Sequence, residues 1–274
     1  MLACMGAAPR ELLAAFEAQV RQETGPVLDG WVFERVGPLL RMTPPASSHR
    51  GGGVSFSDFG GMSGDDVDAV IRDTVSYFRS RGKEWEWKYY AHDLPTDLAD
   101  RLAAAGLVPE ELEALVIGEV DDVVRACADV RPPSGVDIRE PLGDDDYRGI
   151  AALQHAVWGE PGDDHVAELR AEKAADPDAM RILVAVADGQ VVCAAWARFH
   201  AGTEFASLWG GSTHPDWRGR GIYRRIVGLR AAEAAERGLR YLQVDASPNS
   251  RPILERLGMH VVSTTTPFIG AGGS

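Results

Sequence analysis

Residues 213–238 read THPDWRGRGIYRRIVGLRAAEAAERG: two arginines set between glycines, then an alanine-rich amphipathic stretch. A strand that ends in such a turn and feeds a helix gathers three things at one spot. These are unpaired backbone N–H groups, the positive end of a helix dipole, and the side chains of Arg218 and Arg220. That is chemistry for an anion. Gly219 and Gly221 let the backbone approach closely and adopt dihedrals closed to other residues. The two guanidinium groups can close over a pyrophosphate with forked hydrogen bonds. A Walker loop would end in Gly-Lys-Ser/Thr, which is absent, and GRGIYR lacks the third glycine of a dinucleotide fingerprint. What remains is R/Q-x-x-G-x-G/A, matched by residues 218–223 except at Tyr223.

The turn needs elements to hold it. VDIREP alternates as a strand, and DDDYRGIAALQHAVWG opens with helix-start acids and places Ile150, Leu153 and Val157 at helical spacing. After GEPGDD come a short helix, HVAELRAEKAAD, and two strands, RILVAVA and VVCAAWARF, joined by the hairpin signal Asp188-Gly189. FASLWGGST is a third strand, in which Gly210 and Gly211 mark a bulge, a plain kink or a close approach by another molecule. A helix from about Ile222 to Arg237, the strand RYLQVDA, the helix SRPILERLG and the strand HVVSTTTPFI finish the order β-α-α-β-β-β-α-β-α-β.

The first half echoes this order. Asp93 precedes Gly106 by 13 residues, and Asp245 precedes Gly258 by the same 13, each across a short helix, which suggests an internal repeat. Where the second half reads STHPDWRGRGI, the first reads FGGMSGDDVDAV, and Asp65 and Asp66 would repel a pyrophosphate. The expected organisation is therefore a degenerate domain over 1–130, a linker at 131–135 and a binding domain over 136–274.

The segment from LWGGST through LERLGM is similar to the two central motifs of the GNAT superfamily, the acyl-CoA-dependent N-acyltransferases. That resemblance implies an α/β (α+β) fold: a mixed, mostly antiparallel sheet flanked by helices, here as two similar domains in tandem. It implies acetyl-CoA as co-substrate, its pyrophosphate on the backbone of Arg218, Gly219, Arg220, Gly221, Ile222 and Tyr223. Ser212 and Thr213 would bond the pantetheine arm, Ser247 and Ser250 would lie beside the cofactor, and the N–H of Gly211 would serve as an oxyanion donor. Three places depart from the pattern. Tyr223 stands where the family has Gly or Ala, Leu254 where a tyrosine acid is common, and Ser247, with Asn249 nearby, where an asparagine is usual. Thiolate leaves readily, so a missing acid need not abolish transfer.

The base is open on the residues. Glu204 is the first candidate, although it reads equally as an exposed edge carboxylate. The family's strand carboxylate falls near Ser207, too weak a base alone, and His214 adjoins the turn. Acceptor recognition is expected from WGEPGDDH, with Trp158 as an aromatic face and Glu160, Asp163 and Asp164 as carboxylates for a cationic amine. The two aspartates read equally as helix N-terminal charges. Trp196 and Trp209 read as core first and pocket lining second.

The chain has 274 residues and a formal net charge of -13, which tilts against nucleic acid and anionic membrane and toward cationic partners. Three cysteines without CxxC spacing fit a reducing compartment, hence the cytoplasm, and no zinc site or other metal centre. MLACMGAAPRELLAAF lacks the basic start of a signal peptide, and no apolar run reaches the length of a membrane span. The leading expectation is an N-acetyltransferase acting on a primary amine of a small molecule or peptide by direct attack in a ternary complex. The alternative is a catalytically weak acyl-CoA-binding sensor or scaffold.

Overall fold

The computed structural model describes residues 9–22, 30–46, 48, 51–159 and 163–273. Helix α1 (Pro9–Gln19) leads to strands β1 (Val32–Val36), β2 (Leu39–Thr43) and β3 (Gly53–Ser57), helix α2 (Gly64–Arg79), strand β4 (Trp85–Tyr90) and helix α3 (Leu98–Ala104). Strands β5 (Val108–Pro109) and β6 (Glu113–Glu119), helix α4 (Val120–Cys127), strand β7 (Val136–Arg139), and helices α5 (Asp144–Trp158) and α6 (Asp163–Ala175) follow. Strands β8 (Met180–Ala187), β9 (Gln190–Phe199) and β10 (Phe205–Thr213) precede a short 3-10 turn (Pro215–Trp217) and helix α7 (Ile222–Glu236). Strand β11 (Tyr241–Ala246), helix α8 (Arg251–Glu255) and strand β12 (His260–Gly270) end the chain. The fold is mixed α/β with mostly antiparallel pairing; only β3 with β4 and β10 with β11 run parallel among the described pairs.

Two compact units form, and neither is a contiguous half. The C-terminal unit comprises Val116–Val244 and Asn249–His260 with residues 9–12; the N-terminal unit comprises Leu13–Leu115, Asp245–Pro248 and Val261–Ser274. The expected cut at 131–135 thus differs from the structure by an exchange of segments. Residues 116–130 join the C-terminal unit, and β12 pairs antiparallel with β4, from Thr265↔Tyr90 to Gly270↔Trp85. Hydrophobic alternation says that a strand forms but not which sheet edge it joins.

In the C-terminal unit the strands run β7-β8-β9-β10-β11-β6. Both sheet faces are covered, so ILVAVA (182–187) is apolar throughout instead of alternating. Ile182 and Val184 pack with Ala194 and Trp196 against Ile150, Leu153, Val166 and Leu169 of α5 and α6. On the opposite face Leu183, Ala185, Cys193 and Ala195 meet Ile222 and Ile226 of α7. Each fully buried aliphatic side chain contributes roughly 1.5–3 kcal/mol. Helix α4 lies so close to α7 that a Cβ on Gly228 would come 2.5 Å from the Cβ of Cys127.

The N-terminal unit orders its strands β1-β2-β3-β4-β12, with β5 on β12. Its core joins Leu39, Val54, Trp85 and Trp87 of the strands to Val67, Ile71 and Phe78 of α2, Leu98 and Leu102 of α3, and Phe268 of β12. No helix among the described residues is long and apolar enough to cross a membrane.

Candidate active site

Strand β10 pairs with β11 at only three positions, the last Ser207↔Gln243, and beyond them the two strands part. On its other edge β10 follows β9 until Trp209↔Trp196, then resumes at Ser212↔Ala194, so Gly210 and Gly211 together oppose Ala195 as a bulge. Of the readings open for the glycine pair the bulge holds, and side chains of the chain itself press on both glycines. Gly210 has φ 62°, and a Cβ there would come 2.0 Å from the Trp196 ring; one on Gly211 would come 2.7 Å from the Tyr223 ring.

Past the strand, Pro215–Trp217 makes its single turn, and Arg218, Gly219, Arg220 and Gly221 lead into α7. Gly219 and Gly221 take φ 73° and 80°, left-handed values that favour glycine. Gly221 is the N-cap of α7, so no side chain satisfies the first amides, and the first turn carries no acid. Helix α2 differs: Ser63 caps it by accepting from the Asp66 N–H, and Asp65 and Asp66 occupy its first turn. The α7 start is therefore an electropositive cluster of main-chain donors, while that of α2 is internally satisfied. Arg218 Nε donates to the Thr213 carbonyl at 3.1 Å, holding the turn against the strand end, and the exposed Arg220 stacks over Trp217 at 4.6 Å.

Ile222 is buried with 1% exposure, so only its backbone faces the turn. The Tyr223 ring folds inward against Gly211 and toward Arg230. Arg230, 1% exposed, donates from Nη1 to the carbonyls of Trp196 at 2.8 Å and Trp209 at 3.4 Å, the last pair before the bulge. Burial pushes the Tyr223 hydroxyl up and the Arg230 guanidinium down from their ordinary values. Helix α7 thus carries a buried cation that clasps the strands where they deform.

Ser212 is buried and its Oγ accepts from Trp158 Nε1 at 3.0 Å, which ties the 56%-exposed indole to the far side of the bulge. Thr213 Oγ1 lies 3.1 Å from Cys193 Sγ. Trp196 is core, as expected, but Trp209 is 41% exposed on the bulged strand. Asp164 is exposed in the first turn of α6, Asp163 begins that helix, and Glu160 lies outside the described residues. Ser250 heads α8, where Leu254 is fully buried, and Ser247 falls in the N-terminal unit. Glu204 is exposed just before β10, its carbonyl accepting from the N–H groups of Arg240 and Tyr241 at 2.9 Å. The structure does not bring it to the open part of the split, which begins beyond Ser207. Among the described residues no cluster of metal-binding side chains occurs.

The N-terminal unit repeats the strand geometry with a different filling. Strand β3 pairs in parallel with β4 only at Gly53↔Glu86 and Val54↔Trp87, and its register on β2 shifts around Ser55. Into this divergence reaches Arg21, 4% exposed: Nη1 donates to the Ser55 carbonyl, Nη2 pairs with Asp93 at 2.5 Å, and the guanidinium lies 4.2 Å over the Tyr90 ring. A buried charge needs such partners. Sequence reading missed Arg21, Arg230 and a Ser207 hydroxyl flanked by His200 and Trp209. Arg230 left a signal, a charge on the stripe of Ile226, Val227, Ala231 and Ala234.

The profile of the Acetyltransferase (GNAT) family matches residues 147–259, which span both the bulged strand and the α7 turn. No curated protein sequence matches the chain. Among solved structures it is similar to a GCN5-related N-acetyltransferase from Kribbella flavida, with 16% identity, TM-score 0.61 and 98% of each chain covered. It is similar to a tandem GNAT protein from the clavulanic acid biosynthesis pathway, with 13% identity, TM-score 0.62 and again 98% of each chain covered. A GCN5-related N-acetyltransferase from Sphaerobacter thermophilus aligns at 16% identity and TM-score 0.57 over 100% of this chain and 98% of its own. Residues 147–259 thus match the Acetyltransferase (GNAT) family, and the likeness to these solved structures shows that the fold they share extends over nearly the whole chain.

Proposed function

We propose that the C-terminal unit transfers an acetyl group from acetyl-CoA to a primary amine of a small molecule or peptide, by direct attack in a ternary complex. The observation that carries this reading is the α7 start: a glycine N-cap without a side-chain acceptor, no acid in the first turn, and two arginines beside it. Those features fit a pyrophosphate. Backbone N–H groups over residues 218–223 would hold it, with Arg218 and Arg220 closing on its oxygens. The main chain of Ser212 and Thr213 would bind the pantetheine arm, and Ser250 would flank it. Acetyl-CoA supplies an activated acyl thioester. Gly211, exposed at the bulge, would offer its N–H to the carbonyl oxygen as charge develops there.

On the acceptor side, Trp158 gives an aromatic face, and Glu160, Asp163 and Asp164 carboxylates for a cationic amine. The net charge of -13 draws such an amine in. The N-terminal unit is read as a copy without a cofactor site, its α2 start acidic and its strand split filled by Arg21. Cytoplasmic residence keeps the buried free thiols of Cys127 and Cys193 reduced.

The test is release of free thiol from acetyl-CoA with spermidine, benzylamine and lysine-bearing peptides. Thiol release that depends on one of these amines supports the reading. Tight acetyl-CoA binding without thiol release from any amine would instead favour a sensor.

A further inference from the structure

His200 follows β9, and its Nε2 lies 2.9 Å from Ser207 Oγ on β10. Ser207 is 1% exposed and is the last β10 residue paired with β11, so its hydroxyl stands at the closed end of the strand split. Trp209 Nε1 donates to the same oxygen at 2.6 Å. The hydroxyl has one proton of its own to place. Nε2 is an acceptor within its reach, and a buried unpaired donor is costly. An imidazole that carries its own proton on Nδ1 would accept the hydroxyl proton at Nε2.

Charges around the pair are largely compensated. Arg198, directly across from Ser207 on β9, lies 5.0 Å over the Trp209 ring and forms a two-pronged pair with Glu172 of α6 at 2.5 and 2.7 Å. Arg237, the C-cap of α7, sits 3.9 Å over Phe199, next to His200, and is bonded to Glu233 at 2.7 Å. Glu204 is three residues upstream, away from the open part of the split.

We propose that Ser207, backed by His200, is the proton acceptor for the attacking amine; the proposal rests on the acetyl-transfer reading. The lone pair of a neutral amine forms the C–N bond, and the C–S bond breaks with its electron pair leaving on sulfur. One amine proton passes to Ser207 Oγ as the Ser207 proton passes to His200 Nε2. The imidazolium then returns that proton to the departing thiolate, so the products are an amide and the CoA thiol. A lone serine is too weak for this task. An imidazole behind it makes the hydroxyl a conduit, the logic by which His activates hydroxyls elsewhere.

Two readouts test the pair. Long-range proton–nitrogen spectra of the full protein at pH 8 are expected to show His200 protonated at Nδ1 with Nε2 bare, and Ser207→Ala is expected to shift the Nε2 signal; an Nε2–H tautomer overturns the proposal. In the thiol assay with acetyl-CoA and the best amine of the named panel, His200→Gln and Ser207→Ala are expected to lower kcat about 100-fold. The calorimetric Kd for acetyl-CoA and the thermal midpoint should stay close to the parent. An active parent with variants within twofold in kcat overturns the relay alone. A parent that releases no thiol with any amine overturns the acetyl-transfer reading, and the relay with it.

Discussion

The edge of the Tyr223 ring occupies the space that a side chain on Gly211 would need: an added Cβ would sit 2.7 Å from Cε2 of the tyrosine. A residue at the start of α7 is thereby matched to the bulge of β10, which accounts for a tyrosine at a place where the family resemblance leads one to expect Gly or Ala. Gly211→Ala should cost about 1–3 kcal/mol in urea unfolding, the usual range for overpacking. Pairing it with Tyr223→Ala should cost less than the sum of the single changes. Strict additivity in that double-mutant cycle would mean the two residues are not coupled.

Gly210 is held more tightly. Its φ of 62° and the Trp196 ring, 2.0 Å from an added Cβ, oppose a side chain independently. Gly210→Ala is therefore expected to destabilise more than Gly211→Ala. The order of the two thermal midpoints checks this.

Arg230 should contribute through its fork as well as its charge. Arg230→Met leaves the Trp196 and Trp209 carbonyls without that donor and is expected to lose about 1–3 kcal/mol in urea unfolding. Arg230→Lys keeps the charge but not the planar geometry and should fall between methionine and the parent. A lysine variant as stable as the parent would assign the effect to charge alone.

The N-terminal unit carries a pH signature. Burial raises the Glu113 carboxyl to about 7, against the pull of the Lys88 ammonium 3.8 Å away, which Asp245 engages more closely at 2.9 Å. Unfolded, the group titrates near an ordinary glutamate, about 4.3. Between those values the folded protein holds the extra proton, so this group's contribution to stability falls as pH rises from about 4.3 to 7. Urea unfolding at pH 5 and pH 8 should show the parent losing more stability over that interval than Glu113→Gln. Equal losses would contradict the assignment.

Much of the C-terminal unit was legible because its signals are local. Acids at 144–146 open α5, Asp188-Gly189 closes the β8–β9 hairpin, and Gly221 and Gly238 bracket α7. The anion turn belonged to the same class, since one short window contains strand end, glycines and helix start. The exchange of β12 was not legible, because its alternation is compatible with any sheet edge. Nor was the Ser207 site, which exists only once β9 and β10 place His200 beside a serine seven residues on. Arg21 and Asp93 are 72 residues apart, and an arginine beyond a surface helix gives no hint that it will be buried.

The central claim is that main-chain donors at the α7 start hold the diphosphate of coenzyme A. Calorimetric titration of acetyl-CoA into Gly221→Asp and Gly221→Asn tests it most directly, because both side chains tolerate a left-handed backbone and differ in charge alone. The asparagine variant should bind within about tenfold of the parent, and the aspartate variant at least about 100-fold more weakly, through repulsion at the helix start. Equal affinities for all three proteins, each shown to be folded by circular dichroism, would contradict it.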